Sequence, residues 1–213
     1  MMYEGAIFDL DGVLVDTAKY HFLAWKSLAD RLGINFTEQD NERLKGVSRM
    51  ASLDILLSLG NRTYIEDQKA QMAAEKNDLY VSFIEKMNHS EILPGVVAFL
   101  TALKARKIKT SLGSASKNSS IILQNTGLMQ YFDAIVDGND VTKAKPDPEV
   151  FLLGAKRLGL TPVKCVVFED AQAGCEAGKA AKMYVVGIGK AKNLPSADMV
   201  IPDFKHLKAE QLF

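Results

Sequence analysis

The sequence predicts an α/β fold, a Rossmann-like parallel-sheet core with an inserted α-helical cap domain. The first observation is an apolar strand that ends at two acids, Asp9 and Asp11. The second is an alternation of strand and helix patterns later in the chain, which is typical of a parallel sheet with right-handed crossovers. The third is an intervening segment with helix patterns and no strand pattern. We expect a core at residues 1–15 and 89–213 and a cap at residues 16–88, joined through two hinges.

The composition is that of an ordinary globular protein. The 213 residues are 47% hydrophobic, enough for a sizeable core, and the formal net charge is zero. No basic run indicates a nucleic acid or an anionic membrane as a partner. No apolar segment approaches membrane-spanning length, and the amino terminus does not resemble a signal peptide. Two cysteines without a CxxC pair indicate buried thiols. We therefore expect a cytoplasmic monomer that binds neither nucleic acid nor membranes.

The first helix of the expected cap follows directly on the two acids. Asp16 or Thr17 is positioned to cap this helix, and Gly33 is expected to end it. His21 falls on its apolar stripe. A histidine among apolar neighbours is more often a satisfied core residue than a working one, so the pattern alone leaves both interpretations open.

Later cap helices carry cations in unusual places. After a short turn from Thr37, Ser48 is expected to cap a helix that ends at Gly60. Arg49 then lies in the first turn, where a positive charge opposes the helix dipole. This position indicates that Arg49 binds an anion, although a solvent-exposed arginine is the more common arrangement.

The longest cap helix is predicted by a capping box of Thr63 and Glu66 and is expected to run to about Met87. Its expected apolar face consists of Met72, Leu79 and Phe83. Lys76 lies on that same face. Either its aliphatic chain lies along the apolar surface and its ammonium group reaches water, or the ammonium group points at a charged ligand from the wall of a cleft.

The rest of the chain alternates between strand and helix. Strands are expected at residues 108–113, 133–136, 164–168, 183–188 and 199–201. Helices are expected at residues 95–104, around 121–123, at 148–158, 171–180 and, at the end, 205–212. Together with the first strand, these elements predict one parallel sheet.

Polar side chains follow the ends of three expected strands. Asp9 and Asp11 follow the first strand, and Ser114 follows the next. Glu169 and Asp170 follow another. The carboxyl ends of parallel strands meet at one edge of the sheet, so we expect these groups to lie together. Converging carboxylates need a cation to hold them, and oxygen ligands favour Mg²⁺ over zinc.

The same edge is expected to bind phosphate. Residues 114–118 open a helix with small polar side chains, where free N–H groups and hydroxyls converge on an anion. Lys145, in a Lys-Pro-Asp-Pro loop, adds a positive charge that would help to neutralise the oxygens of a phosphoryl group in transfer. No glycine-rich P-loop pattern occurs, so a nucleotide is not required. Taken alone, Asp11-Gly12 is equally well explained as a turn.

These residues carry a resemblance to a known superfamily. Asp9-Leu10-Asp11-Gly12-Val13, Ser114, Lys145 with its Pro-x-Pro tail, and Glu169-Asp170 resemble the four ordered motifs of the haloacid dehalogenase superfamily. Within it the chain is similar to the β-phosphoglucomutase family. That similarity is carried by Asp16-Thr17-Ala18, Tyr20-His21, Ala24-Trp25, Leu44-Lys45-Gly46-Val47-Ser48-Arg49 with Ser52, Lys76-Asn77-Asp78 and Ser114-Ala115-Ser116-Lys117-Asn118. Residues 59–67 do not match closely.

The resemblance implies roles for these residues. Asp9 would be the nucleophile that becomes an aspartyl phosphate, and Asp11 the general acid/base. The implied Mg²⁺ ligands are Asp9, the backbone carbonyl of Asp11, Asp170, and Glu169 in a supporting or shared role. Ser114 and Lys145 would hold the transferring phosphate. His21 would align Asp11 from the cap. The implied substrate contacts are Thr17, Trp25, Gly46, Val47, Arg49, Ser52, Lys76, Ala115, Ser116, Lys117 and Asn118.

The implied reaction interconverts β-D-glucose 1-phosphate and glucose 6-phosphate through a bound β-glucose 1,6-bisphosphate. One alternative is a Mg²⁺-dependent sugar-phosphate phosphatase of the same superfamily, which uses Asp9 and Asp11 but passes the phosphoryl group to water. Another, from a different class, is a non-catalytic sugar-phosphate sensor. A sensor need not keep a nucleophile together with its acid partner, which argues against that alternative.

Overall fold

The computed structural model describes residues 3–44 and 47–213. The strands are β1 (Gly5–Phe8), β2 (Lys109–Gly113), β3 (Ala134–Val136), β4 (Cys165–Glu169), β5 (Tyr184–Ile188) and β6 (Met199–Ile201). They form one parallel sheet in the order β3-β2-β1-β4-β5-β6. This is the doubly wound Rossmann order, whose switch point lies beside β1, the strand that ends at the acids. The predicted fold class is confirmed.

Eight α-helices accompany the sheet in the described part of the chain. They are α1 (Ala18–Arg31), α2 (Glu38–Glu42), α3 (Arg49–Leu59), α4 (Glu66–Ile84), α5 (Val96–Ala105), α6 (Ser119–Thr126), α7 (Glu149–Leu158) and α8 (Gln172–Ala180). Helices α1–α4, which we call the cap helices, are consecutive in the chain. Their own apolar cluster contains Trp25, Phe36, Leu53 and Leu56, separate from the two clusters on the faces of the sheet. None of the described helices is long and apolar enough to cross a membrane.

Two short backbone hydrogen bonds join the segments that enter and leave the cap helices. The Asp16 amide donates to the Glu91 carbonyl at 3.0 Å, and the Leu93 amide donates to the Leu14 carbonyl, also at 3.0 Å. The incoming and outgoing segments therefore run side by side at the sheet edge. Our division of the chain at residues 16 and 88 falls beside this pair of bonds and stays a proposal.

The predicted closing helix at residues 205–212 is wrong. The chain instead forms two single 3₁₀ turns, Phe204–His206 and Ala209–Gln211. The Asp203 carboxylate accepts from the Lys205 amide at 2.8 Å, and the Gln211 side chain accepts from the Lys208 amide at 2.8 Å. These local side-chain bonds compete with the helical hydrogen-bond ladder and stop it after one turn each.

The start and the buried face of α4 also differ from the prediction. The helix begins at Glu66 and ends at Ile84, and the Gln68 side chain accepts from the Ile65 amide at 3.3 Å. The capping box of Thr63 and Glu66 is therefore wrong. The buried stripe is offset by about one residue from the predicted one and consists of Ala73, Lys76, Tyr80 and Ile84. The offset brings Tyr80 to the interior beside Lys76, which the sequence pattern had already placed on the expected apolar face.

Candidate active site

A cavity of about 320 Å³ lies between the carboxyl edge of the sheet and the cap helices. Most of the predicted site residues line it, namely Asp9, Asp11, Thr17, His21, Trp25, Val47, Arg49, Ser52, Lys76, Ala115, Ser116, Lys117, Asn118, Lys145 and Asp170. Ser114 and Glu169 are buried and lie outside its lining. Gly46 lies outside the described residues. The sheet edge and the cap thus present their polar groups to one cavity.

The core side of the cavity is built around one buried lysine. The Lys145 ammonium donates to Asp9 Oδ1 and to Glu169 Oε1, each at 2.6 Å, and all three side chains are nearly inaccessible to water. Burial raises the pKa of Asp9 to about 7, although the Lys145 charge opposes this shift. Those two carboxylates in turn raise the pKa of Lys145 above its usual value against the effect of burial. Asp9 therefore has a fixed cation beside it.

Asp11 is held by the residue that precedes the first cap helix. The Thr17 hydroxyl donates to Asp11 Oδ1. Thr17 occupies the N-cap position of α1, but its ψ is −7° and its side chain makes no capping hydrogen bond. An N-cap residue normally has an extended backbone, so the predicted capping role of this side chain is wrong and its hydroxyl serves the buried acid. Burial raises the pKa of Asp11, which suits a group that must carry a proton.

The small-residue segment after β2 folds as a series of tight turns. Ser114 Oγ accepts from the Ser116 amide at 3.1 Å, and Ser116 Oγ accepts from the Asn118 amide at 3.2 Å. Asn118 stands at the start of α6, where the first N–H groups of a helix favour an anion. Its Nδ2 also donates to Asn77 Oδ1 on α4 at 2.9 Å, a direct contact between core and cap.

The cap side of the cavity is built around a second buried lysine. The Lys76 ammonium lies 3.2 Å from Nδ1 of His21 and 4.5 Å from the centre of the Trp25 ring. It lies 4.7 Å from the centre of the Tyr80 ring, which stacks on the His21 imidazole at 4.1 Å between centroids. Aromatic faces attract a cation, so these rings stabilise the ammonium where no carboxylate pairs with it among the described residues.

This environment changes the protonation of the two cap bases. Burial and the nearby charge of Arg49 lower the pKa of Lys76 to about 7. Removal from water, with the charges of Lys76 and Arg49, lowers the pKa of His21 well below its usual value, so the imidazole is neutral at pH 7. When Lys76 is protonated it can only donate, and the imidazole proton then lies on Nε2.

The acidic groups beside the cavity were tested as a metal site. A Cβ atom on Gly12 would lie 2.1 Å from Asp170 Oδ2, so this carboxylate lies against the backbone next to Asp11. Glu169 uses both oxygens, one on Lys145 and the other on the Ala171 amide at 2.7 Å. No three acidic, histidine or cysteine side chains in residues 3–44 and 47–213 form a ready metal cluster. Mg²⁺ commonly takes only one or two carboxylates, with waters and phosphate oxygens, so Asp9, Asp170 and the Asp11 carbonyl fit it.

Several cavity residues were not among the predicted site residues, and two of them contact predicted ones. Asn77 makes the cap to core contact, and Tyr80 packs on the predicted histidine. Tyr80 lies four residues after Lys76, and residues with this spacing share a helix face, so the helical period could have revealed it. Helical spacing gave no signal for Asn77, because its partner lies 41 positions away in the chain, and only its place in the Lys76-Asn77-Asp78 match drew attention to it.

Comparisons with known proteins agree with this arrangement. A family model described as haloacid dehalogenase-like hydrolase matches residues 3–182. The chain is 41% identical to a β-phosphoglucomutase of Bacillus subtilis over 98% of this chain and 93% of that protein. It is 35% identical to a phosphorylated carbohydrates phosphatase of Thermotoga maritima over 84% of this chain and 81% of that protein.

A solved structure of a similar protein has the same fold as this chain. The crystal structure of β-phosphoglucomutase from Clostridium difficile superposes with a TM-score of 0.94 at 45% identity, covering 99% of this chain and 95% of that one. The match therefore extends over the sheet and the cap helices together. The family model and these similarities show that the chain belongs to the haloacid dehalogenase-like hydrolase family. The acids at the end of β1 and the buried lysine agree with this assignment.

Proposed function

We propose that the chain is a β-phosphoglucomutase that interconverts β-D-glucose 1-phosphate and glucose 6-phosphate. The observation that carries the proposal is that two kinds of group line one cavity. Asp9 with Lys145 lies on the core side, and His21 with Lys76 lies on the cap side. A bisphosphate that must turn over between two transfers needs polar groups at both ends of its site. The similarity to the mutases of Bacillus subtilis and Clostridium difficile supports the same activity.

The chemistry divides between the two aspartates. An oxygen of Asp9 attacks the phosphorus of the bisphosphate, the bond from phosphorus to the sugar oxygen breaks, and Asp11 delivers its proton to that oxygen. In the return step Asp11 removes the proton from the sugar hydroxyl that attacks the aspartyl phosphate. Lys145 neutralises charge on the transferring group, and Ser114 supports the loop that receives it.

A metal cofactor belongs to this proposal, and we infer that it is Mg²⁺. Asp9, Asp170 and the Asp11 carbonyl would hold it, with Glu169 orienting Lys145 beside them. When bound, Mg²⁺ neutralises negative charge on the phosphoryl oxygens. The second phosphate would lie against Arg49 and the residues from Ser116 to Asn118. We expect a cytoplasmic monomer acting on small sugar phosphates.

Product analysis tests the proposal. The protein is incubated with Mg²⁺, a trace of β-glucose 1,6-bisphosphate and either the β or the α anomer of glucose 1-phosphate. We expect glucose 6-phosphate from the β anomer only. Inorganic phosphate without glucose 6-phosphate would instead establish a sugar-phosphate phosphatase, the second candidate, which the similarity to the Thermotoga maritima phosphatase favours. Binding of the sugar phosphate with neither product would indicate a sensor.

A further inference from the structure

The cap contains a buried polar atom without a partner. Tyr80 lies on α4 with none of its surface exposed. Its hydroxyl is the one buried side-chain polar atom that lacks a hydrogen bond in the described part of the chain. Buried hydroxyls are nearly always paired, because the group loses its hydrogen bonds to water. A phenylalanine would fill the same space without this cost, so packing alone does not account for the hydroxyl.

The surroundings of Tyr80 connect it to the proposed chemistry. Its ring stacks on His21 at 4.1 Å, and the Lys76 ammonium lies 4.7 Å from the ring centre. Tyr80 also contributes to the lining of the cavity. Both cap bases, His21 and Lys76, therefore contact the ring of Tyr80.

The hydroxyl of Tyr80 has a proton to donate. Burial, with the charge of Asp11, raises the pKa of the phenol well above its usual value, so it keeps its proton. Lys76 and Arg49, the cations near it, offer no acceptor. Nδ1 of His21 already contacts Lys76. Of the charged groups that act electrostatically on the phenol, Asp11 is the one that has an acceptor oxygen.

We propose that Tyr80 is a positioning residue of the acid/base machinery. Its ring fixes the orientation of the His21 imidazole, and its hydroxyl donates to the Asp11 carboxylate once a sugar phosphate is bound. The inference rests on the proposed function, because the second part requires that Asp11 works on a bound sugar phosphate. No contact between Tyr80 and the sugar is needed, so the residue acts on turnover and leaves substrate binding unchanged.

Three variants separate the ring from the hydroxyl. Tyr80→Phe removes only the hydroxyl, and Tyr80→Met removes the aromatic face. Tyr20→Phe is the matched control, because the Tyr20 hydroxyl is paired with Glu91 at 2.8 Å and Tyr20 is not part of the cavity lining. For Tyr80→Phe we expect kcat to fall about tenfold, KM to stay within about twofold, and the urea midpoint of the free protein to be unchanged or higher. For Tyr20→Phe we expect a lower midpoint.

Nitrogen-15 NMR of the imidazole groups tests the ring. The chain has three histidines, so His89 and His206 serve as internal references for His21. We expect one protonated and one unprotonated nitrogen for His21 in the wild type and in Tyr80→Phe, and signals averaged between the two in Tyr80→Met. An unchanged kcat in Tyr80→Phe, a raised KM with kcat unchanged, a lowered midpoint as in Tyr20→Phe, or unchanged His21 signals in Tyr80→Met would each overturn the proposal.

This experiment is independent of the main functional test. Whether the wild type makes glucose 6-phosphate decides the proposed function. The ratio of variant to wild-type turnover, measured on whichever product forms, decides the role of the Tyr80 hydroxyl. The NMR signals need no turnover at all.

Discussion

Lys145 and Lys76 face the same cavity and are almost equally buried, at 4% and 5% exposure, yet their electrostatics are opposite. Lys145 touches two carboxylates at 2.6 Å, and its pKa is raised. Lys76 touches a neutral imidazole and two aromatic rings, and its pKa is lowered to about 7. Burial lowers the pKa of both ammonium groups, so the difference comes from their charged neighbours. Two carboxylates raise the pKa of Lys145, whereas the charge of Arg49 lowers that of Lys76 further.

The two sides of the cavity differ in function. The core wall is the side with Asp9 and Lys145, and the cap wall is the side with His21 and Lys76. In the core wall the lysine has its carboxylate partners before any ligand arrives, which suits a nucleophile that must be held in place. The cap wall contains a cation without an anionic partner in the described residues, so an anionic ligand would supply the missing charge. A bound sugar phosphate would give Lys76 the anionic partner that Lys145 already has.

Substitution of the proposed nucleophile in the core wall is expected to have the largest effect on turnover. Asp9→Asn keeps the size of the side chain but removes the attacking oxygen anion. We expect turnover of β-glucose 1-phosphate to fall by at least about 10⁴-fold, measured by coupled assay of glucose 6-phosphate. The exposed Asp30→Asn on α1 serves as the control and should keep its activity. Equal turnover in the two variants would contradict a covalent mechanism.

Removing each lysine tests the contrast directly. Lys145→Met leaves two buried carboxylates without their cation, and we expect the free energy of unfolding at pH 7 to fall by about 3–5 kcal/mol. Lys76→Met removes a buried charge with no acidic partner in the described residues, so the free energy of unfolding should be unchanged or higher. Urea denaturation of both variants measures the difference. Similar losses in the two would mean that burial, and not the partner, decides their energetics.

The pH dependence of stability sharpens the same contrast. In the unfolded chain Lys76 keeps its proton up to about its usual pKa of 10.5, whereas in the folded chain it loses the proton near pH 7. The unfolded state therefore binds more protons between these values, and stability contributed by this group rises with pH. From pH 7 to 10 the wild type should gain up to about 1.4 kcal/mol per pH unit relative to Lys76→Met. Parallel curves in urea denaturation would show that Lys76 stays protonated when folded.

The contrast between the two lysines also shows what the sequence can predict. The five strands with predicted bounds lie within one residue of them, because their short length and the turn residues or acids at their ends distinguish these apolar runs from helices. The sheet topology then brings Asp9 and Lys145 to one edge, although they are 136 positions apart. The core part of the site therefore follows from local patterns and the rules of parallel sheets.

The cap was less predictable because its features depend on tertiary contacts. The hydroxyl of Thr17 has two possible partners, a helix amide or a buried acid, and only the packed structure shows that it bonds to Asp11. Lys76 was placed on the expected face of α4, but the rest of the buried stripe was misplaced by one residue, because Met72 and Leu79 are more apolar than Tyr80. Hydrophobicity cannot identify a buried polar face that is stabilised by rings and by a ligand.

The smallest predicted effect concerns the contact that joins the two walls. Asn118 Nδ2 on the core donates to Asn77 Oδ1 on α4 at 2.9 Å. Asn77→Ala removes the acceptor, and we expect the free energy of unfolding to fall by about 1 kcal/mol in urea denaturation. Asn77→Asp keeps an acceptor oxygen at the same place and should retain most of the stability. If both variants lose the same amount, the amide contact does not hold the cap to the core, and the two walls meet only through packing and the bound ligand.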